Sequence, residues 1–168
     1  MDTTLLCHHG IKGQKWGVRR YQNDDGSLTN RGRKRYSSVE SIMNKKTGEH
    51  IYVGKRKNHT KNDTESTYDI LNNGKKIGNL ILEHQGDNLY VNWVDIKKSQ
   101  RGKGYANSIM GYTIRNAKNN GYKTMTLEVP GNSPDARHVY EKHGFIADKN
   151  NYIDDVWGGL TRMKKKIY

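Results

Sequence analysis

Gln100-Arg101-Gly102-Lys103-Gly104-Tyr105-Ala106 is a basic turn with two glycines. It follows a strand-like run, Leu89 to Ile96, and opens a helix-like run at Tyr105. Glycines let the backbone approach a ligand closely, and free N–H groups at a helix start point toward an anion. The stretch matches neither G-x-G-x-x-G nor G-x-x-x-x-G-K-S/T, so it is not a dinucleotide fingerprint or an ATP loop. A turn with a purely structural job is the plain alternative.

Outward from that turn the pattern is regular. Ala106, Ile109, Met110, Thr113, Ile114 and Ala117 recur at helical spacing, and Asn119-Asn120-Gly121 closes the helix. Tyr122 to Val129 reads as the next strand, and strand–helix–strand order favours a parallel right-handed crossover. Pro134 starts a second helix with Ser133 as its cap, and Gly144 stops it. Phe145-Ile146 opens a short strand and Val156 to Met163 supplies the last. Upstream, Thr67–Leu71 and Ile77–Glu83 flank Asn72-Asn73-Gly74-Lys75, a hairpin with a strong Asn-Gly cue. Leu89–Ile96 follows as a third antiparallel strand. Ile51-Tyr52-Val53 is strand-like, while the run before Lys45-Lys46-Thr47-Gly48 fits a short helix or a strand. The expected class is α+β.

The chain has 168 residues, a net charge of +13 and 32% hydrophobic residues, with a mean hydropathy of -1.05. This length suits one domain and a short extension. Eleven tyrosines and three tryptophans argue for a packed core despite the lean composition. No apolar run is long enough to span a bilayer, and no secretory signal is apparent, so the cytoplasm is expected and no membrane partner. Cys7 is the sole cysteine, which excludes an internal disulfide. The basic excess suits polyanions, a phosphorylated cofactor or a solvated surface. It is spread over residues 1–38 (8 Lys/Arg against 3 acids) and 39–168 (22 against 14), so nucleic acid is a less favoured partner.

Residues 1–38 form a basic extension or docking segment, and 39–168 the domain proper. The extension has recurrent turn formers and no sustained period. Its Ile11, Trp16, Val18 and Tyr21 are candidates for docking onto a partner or onto the domain. Cys7, His8 and His9 lack a fourth ligand and zinc-site spacing, and His138 and His143 are five apart, so no metal is expected. His8 to Tyr21, Gly26 to Thr29 and Gly32 to Tyr36 resemble a segment of tailed-bacteriophage virion-associated proteins. That resemblance implies a phage origin, a host-cytoplasmic or virion-associated location, and a virion protein as partner for residues 1–38.

Two motifs lie on either side of the predicted crossover: Gln100-Arg101-Gly102-Lys103-Gly104-Tyr105-Ala106, and Asn132-x-x-x-Ala136-x-x-x-Tyr140-x-x-x-Gly144-Phe145. In this order they resemble the GCN5-related N-acetyltransferase (GNAT) family, over about residues 40–168. The resemblance implies a mixed, largely antiparallel sheet flanked by helices, with a splayed central strand pair. It implies acetyl-CoA as cofactor, its pyrophosphate held by Gln100, Arg101, Gly102, Lys103, Gly104, Tyr105 and Ala106. Val94, Asp95 and Ile96 would run beside the pantetheine arm, and the gap would lie between that strand and Thr124–Val129. Asn132 would be a further cofactor contact, and Tyr140 the general acid for the leaving thiolate. By helical pattern alone Tyr140 is equally a core tyrosine. Glu83, Asp95 and Glu128 are the candidate bases for a primary-amine acceptor, each otherwise a surface acid. A basic neighbourhood disfavours strongly cationic acceptors unless acids such as Asp63, Glu65, Asp69, Asp154 and Asp155 gather at the mouth. Acetyl transfer to an amine is therefore the leading expectation. The alternative is a non-catalytic phage structural or nucleic-acid-associated protein on the same scaffold. Oligomeric state is left open.

Overall fold

The computed structural model describes residues 21, 23, 27–57, 64–148 and 159–168. The phage-like motif before Tyr21, the Cys7-His8-His9 run, Asp63, Asp154, Asp155 and the start of the last predicted strand lie outside them. Eight strands form one sheet: β1 (Tyr36–Met43), β2 (His50–Arg56), β3 (Glu65–Asn72), β4 (Lys75–Gln85), β5 (Asn88–Ile96), β6 (Thr124–Pro130), β7 (Ile146–Ala147) and β8 (Leu160–Lys166). Their order is β1-β2-β3-β4-β5-β6-β8-β7. β5 and β6 are parallel, and the other described pairings are antiparallel. The helices are α1 (Asn30–Arg35), α2 (Tyr105–Asn119) and α3 (Pro134–Lys142). The fold is thus α+β with a mixed, mostly antiparallel sheet flanked by helices.

The ambiguous run before Lys45 is strand β1, which pairs with β2 from Tyr36↔Arg56 to Met43↔His50. The antiparallel meander therefore has five strands rather than the three expected. β1 starts at Tyr36, so the sheet takes in the end of the 1–38 segment, and α1 also falls inside that segment. Thr29 caps α1 by accepting from the Gly32 amide at 3.1 Å. Tyr21 meets the Tyr36 ring edge-on, with centroids 5.7 Å apart, and Arg35 lies over the Tyr21 ring. The Asn73-Gly74 turn has both residues at positive φ, as a tight hairpin requires. The last strand runs from Leu160 to Lys166, later than the predicted Val156–Met163.

One departure from regular pairing shapes the rest. β5 pairs with β4 as Leu82↔Val91 and Ile81↔Trp93, leaving Asn92 as an extra, bulged residue. A bulge resets the alternation of a strand. Leu89 and Val91 before it, and Val94 and Ile96 after it, therefore share the core face. Trp93, 52% exposed, and Asp95 face the other way, with Tyr90. β5 and β6 pair only from Asn88↔Thr124 to Val91↔Leu127. Beyond that, Trp93–Ile96 stay with β4 while Glu128–Pro130 stay with β8. The two central strands splay.

Core packing follows the predicted periods. α2 buries Tyr105, Ile109, Met110, Tyr112, Thr113 and Ala117. All of these but Thr113 join Ile51, Val53, Ile70, Leu80, Leu82, Leu89, Val91, Met125, Leu127 and Met163 in one cluster. α3 lies beside α2, His143 Nε2 standing 3.1 Å from the Asn107 carbonyl oxygen. Ala136, Val139 and Tyr140 of α3 pack against the same cluster. Gly144, at φ +80°, ends α3. Ser133 does not cap α3 with its side chain: its hydroxyl instead donates to Asn132 Oδ1 at 3.4 Å. Among the described residues no helix is long and apolar enough to cross a membrane.

Candidate active site at the strand split

The turn after β5 is shaped by its own glycines and clamped from β1–β2. A single 3-10 turn, Lys98–Gln100, leads out of the strand. Gly102 and Gly104 follow at φ +76° and +83°, and Gly104 is the N-cap of α2. A side chain at Gly104 would also meet Lys46 Cβ at 2.9 Å and Asn44 Oδ1 at 3.2 Å. Among the described residues, no protein acceptor takes the main-chain N–H of Gly102, Lys103, Gly104, Tyr105 or Ala106. Helices leave their first amides without internal partners. Here a run of them sits at the mouth of α2, beside the end of β5. That is the donor set of an anion cradle.

The side chains of the turn do other work. Arg101 folds back, donating to the Ile96 carbonyl at 2.8 Å and pairing with Asp95 at 3.3 Å. Lys103 donates to Gln100 Oε1 at 3.0 Å. Tyr105 is buried; its hydroxyl donates to Glu49 Oε2 at 3.0 Å and accepts from Asn72 at 2.7 Å. Burial, then Glu49, pushes its ionisation upward. Lys103 and Tyr105 thus leave the turn their free amides, whereas the Arg101 amide donates to the Lys98 carbonyl at 3.3 Å.

Sequence reading missed Asn44 and Lys46. Asn44 is 1% exposed and ties three segments together. Its Nδ2 donates to the Lys103 carbonyl at 2.8 Å, and its Oδ1 accepts from the Lys46 amide at 3.0 Å and from Ser108 Oγ at 3.3 Å. Lys46 Nζ donates to the Gly102 carbonyl at 2.7 Å. With the carbonyls occupied from this side, the amides of the turn are left to the other. Asn44→Ala would take the shared partner from these part-buried groups, at a cost of about 1 kcal/mol. We expect a lower melting temperature, measured by calorimetry.

Tyr140, half-buried on α3, and the predicted carboxylates stand on opposite sides of the sheet. Tyr140 sits on the core side, its ring 6.1 Å from that of Phe145 in an edge contact. Burial pushes its hydroxyl pKa up, so it stays protonated at neutral pH. Among the described residues that hydroxyl has no hydrogen-bond partner. The predicted carboxylates face the opposite side. Glu83 is registered with Tyr90, and Tyr90 with Thr126. Glu128, the first residue of β6 past the last paired position, accepts from Arg162 at 2.7 Å and from the Tyr90 hydroxyl at 3.5 Å. Tyr90, Thr126, Glu128 and Arg162 line a cavity of about 420 Å³. The structure thus brings Glu83 and Glu128 to either side of Tyr90, while Asp95 is held at the turn by Arg101. Asn132 is exposed in the β6–α3 connection. Asp69 is not at this mouth; it is buried elsewhere in the sheet. His84 and His143 are held by protein partners, and no group of three His, Cys, Asp or Glu forms a metal cluster among the described residues.

Solved structures share this fold at low identity. A spermidine N-acetyltransferase from Vibrio cholerae in complex with CoA and spermine aligns with a TM-score of 0.56 and 17% identity, over 62% of this chain and 67% of that one. The ribosomal-protein-S18-alanine N-acetyltransferase of Escherichia coli gives 0.57 and 19%, over 64% and 72%. A GNAT-family acetyltransferase from Streptococcus pneumoniae gives 0.56 and 21%, over 64% and 70%. The chain spans about two thirds of the length of such relatives; for the dodecameric spermidine N-acetyltransferase of Vibrio cholerae the share is 66%. No curated protein matches it. The acetyltransferase (GNAT) family model matches residues 35–145, from the end of α1 to Phe145, and with it the bulged strand, the glycine turn and the tyrosine helix: this chain belongs to the GNAT acetyltransferase family.

Proposed function

We propose that the protein moves an acetyl group from acetyl-CoA to a primary amine of a small molecule or a protein. The carrying observation is the run of unpaired amides, Gly102 to Ala106, at the end of a strand that has just parted from its neighbour. These amides suit a pyrophosphate. The edge of β5 from Asn92 to Ile96 has no β6 partner, so an extended amide-bearing arm can add to it as a strand would. When bound, acetyl-CoA supplies an activated thioester.

The protein's own groups then divide by face. Tyr140, on the core side, holds a proton for the leaving sulfur. Glu128 and Glu83, on the other side, are placed to accept the proton of an amine entering there, with Arg162 and Tyr90 fixing the Glu128 carboxylate. Asn132 adds a polar contact toward the cofactor. Main-chain donors preorganised along the split stabilise developing negative charge without moving. Positioning contributes a large further factor.

Calorimetry with acetyl-CoA, followed by a panel of primary amines read out as free thiol, tests the reading. Tyr140→Phe should lower kcat about 100-fold while leaving acetyl-CoA affinity near the parent value. Glu128→Gln should do the same, whereas Glu83→Gln with that outcome would move the base to Glu83. Salt-dependent DNA binding with no cofactor binding would instead favour a non-catalytic accessory protein. By its likeness to virion-associated segments, the extension within residues 1–38 tethers the enzyme to a phage virion protein. The deletion that tests this should stop at residue 20, because Tyr36 belongs to β1.

A further inference from the structure

A second cavity, of about 200 Å³, lies where the C-terminal turn of α2 leaves the core face of β1–β4. It is lined by Glu40, Lys55, Tyr68, His84, Asn116 and Asn120, among others. The glycine turn is at the opposite end of α2, which at fifteen residues is about 22 Å long. This cavity therefore belongs to neither the strand split nor the phosphate cradle. It has room for about six waters.

Its walls are mixed, with Leu82, Leu89 and Ala117 beside the polar groups. His84 has both ring nitrogens engaged, Nε2 with Ser66 Oγ at 2.9 Å and Nδ1 with the Tyr122 hydroxyl. The charges that remain are one carboxylate and one ammonium. Glu40 accepts from the Tyr112 hydroxyl through Oε1 at 3.0 Å, and among the described residues no donor reaches its Oε2. Lys55, half-buried, makes no hydrogen bond or ion pair with a described residue through Nζ. Although Glu40 and Lys55 line the same cavity, they form no ion pair with each other. Lys55 is half-buried and Glu40 exposed, so each stands at the cavity wall with hydrogen-bonding capacity left for a ligand. The last turn of α2 adds the negative end of a helix dipole.

We infer that this cavity binds a small zwitterion of the α-amino-acid class, its carboxylate on Lys55 and its ammonium on Glu40. A ligand carrying both charges a few ångströms apart bridges what the side chains do not. The Tyr68 hydroxyl and the Asn116 and Asn120 amides supply neutral contacts along the wall. The site is independent of the proposed transfer reaction.

The test uses the full chain without acetyl-CoA, in calorimetry and thermal shift with millimolar glycine and L-alanine. Ethanolamine and acetate serve as single-charge controls. Saturable glycine or alanine binding is expected, with both controls about tenfold weaker or worse, since hydrogen bonds to charged groups contribute most of such affinity. Lys55→Met and Glu40→Gln should each weaken it about tenfold, while acetyl-CoA binding stays unchanged. The ligand-free melting temperature of each variant, and Tyr68→Phe as a milder change, separate a lost site from a lost fold. Absence of zwitterion binding, binding that survives both charge variants, or acetate binding as tightly as glycine would each overturn the assignment.

Discussion

Gly104→Arg is expected to abolish saturable acetyl-CoA binding while leaving a folded protein. Two independent causes converge. Gly104 sits at φ +83°, where an L side chain is strained by about 1–2 kcal/mol. Its Cβ would press on Lys46 Cβ and Asn44 Oδ1, the clamp that orders the turn. The arginine chain would also stand over the amides of Tyr105 and Ala106. Strain alone lowers stability without erasing a site, so Gly104→Ala is the matched control. It should lose stability and bind weakly, and the arginine variant should not bind at all. Calorimetry decides the first point and the amide circular-dichroism melt the second. If Gly104→Arg bound acetyl-CoA within about tenfold, or 1.4 kcal/mol, of the parent, the pyrophosphate would not lie on this turn.

What was legible beforehand follows from how local each signal is. The glycine turn, α2, the parallel crossover and the Asn73-Gly74 hairpin are written in contiguous residues, and the fold class rests on them. β1 was ambiguous because it is a mostly exposed edge strand. Tyr36 and Ile42 alone are buried in Tyr-Ser-Ser-Val-Glu-Ser-Ile-Met, too few to show a period of two. The Asn92 bulge was invisible because a bulge is a mismatch between two strands, and neither strand carries it alone. Yet it keeps Val94 and Ile96 in the core. The Asn44 clamp was missed for the same reason: its partner carbonyl, on Lys103, is 59 residues away. An asparagine entering a Lys-Lys-Thr-Gly turn reads as an ordinary turn residue. The carboxylates were named as a set, but their division into two near Tyr90 and one tied to Arg101 needed the register.

Asp69→Ala is expected to destabilise the domain by about 3 kcal/mol, because it takes from three half-buried cations and the buried Tyr36 hydroxyl the one carboxylate they share. Asp69 is wholly buried in β3 and accepts from Tyr36 at 2.8 Å, Arg35 at 2.8 Å, Arg56 at 2.6 Å and Lys76 at 2.9 Å. Those partners come from α1, β1, β2 and β4, so one carboxylate joins the first four strands to the helix before them. Burial alone would raise its pKa; the hydrogen bonds from Arg56, Lys76, Tyr36 and Arg35 outweigh it and hold it well below the usual range. The sign follows. A carboxyl with a depressed folded pKa contributes stability above its unfolded value, about 3.9, and loses it as pH falls through the folded one. The parent should therefore keep its full margin down to about pH 4 and lose it progressively below. In Asp69→Asn that acid-dependent loss should shrink, because no proton remains to be taken up there. Each cation is about one third exposed, so Arg35→Met should cost only about 1 kcal/mol. Urea melts of parent, Asp69→Ala, Asp69→Asn and Arg35→Met between neutral and acid pH measure all of this. A cost under about 1 kcal/mol for Asp69→Ala would mean that ladder hydrogen bonds and apolar packing hold these strands and the charge cluster adds little net.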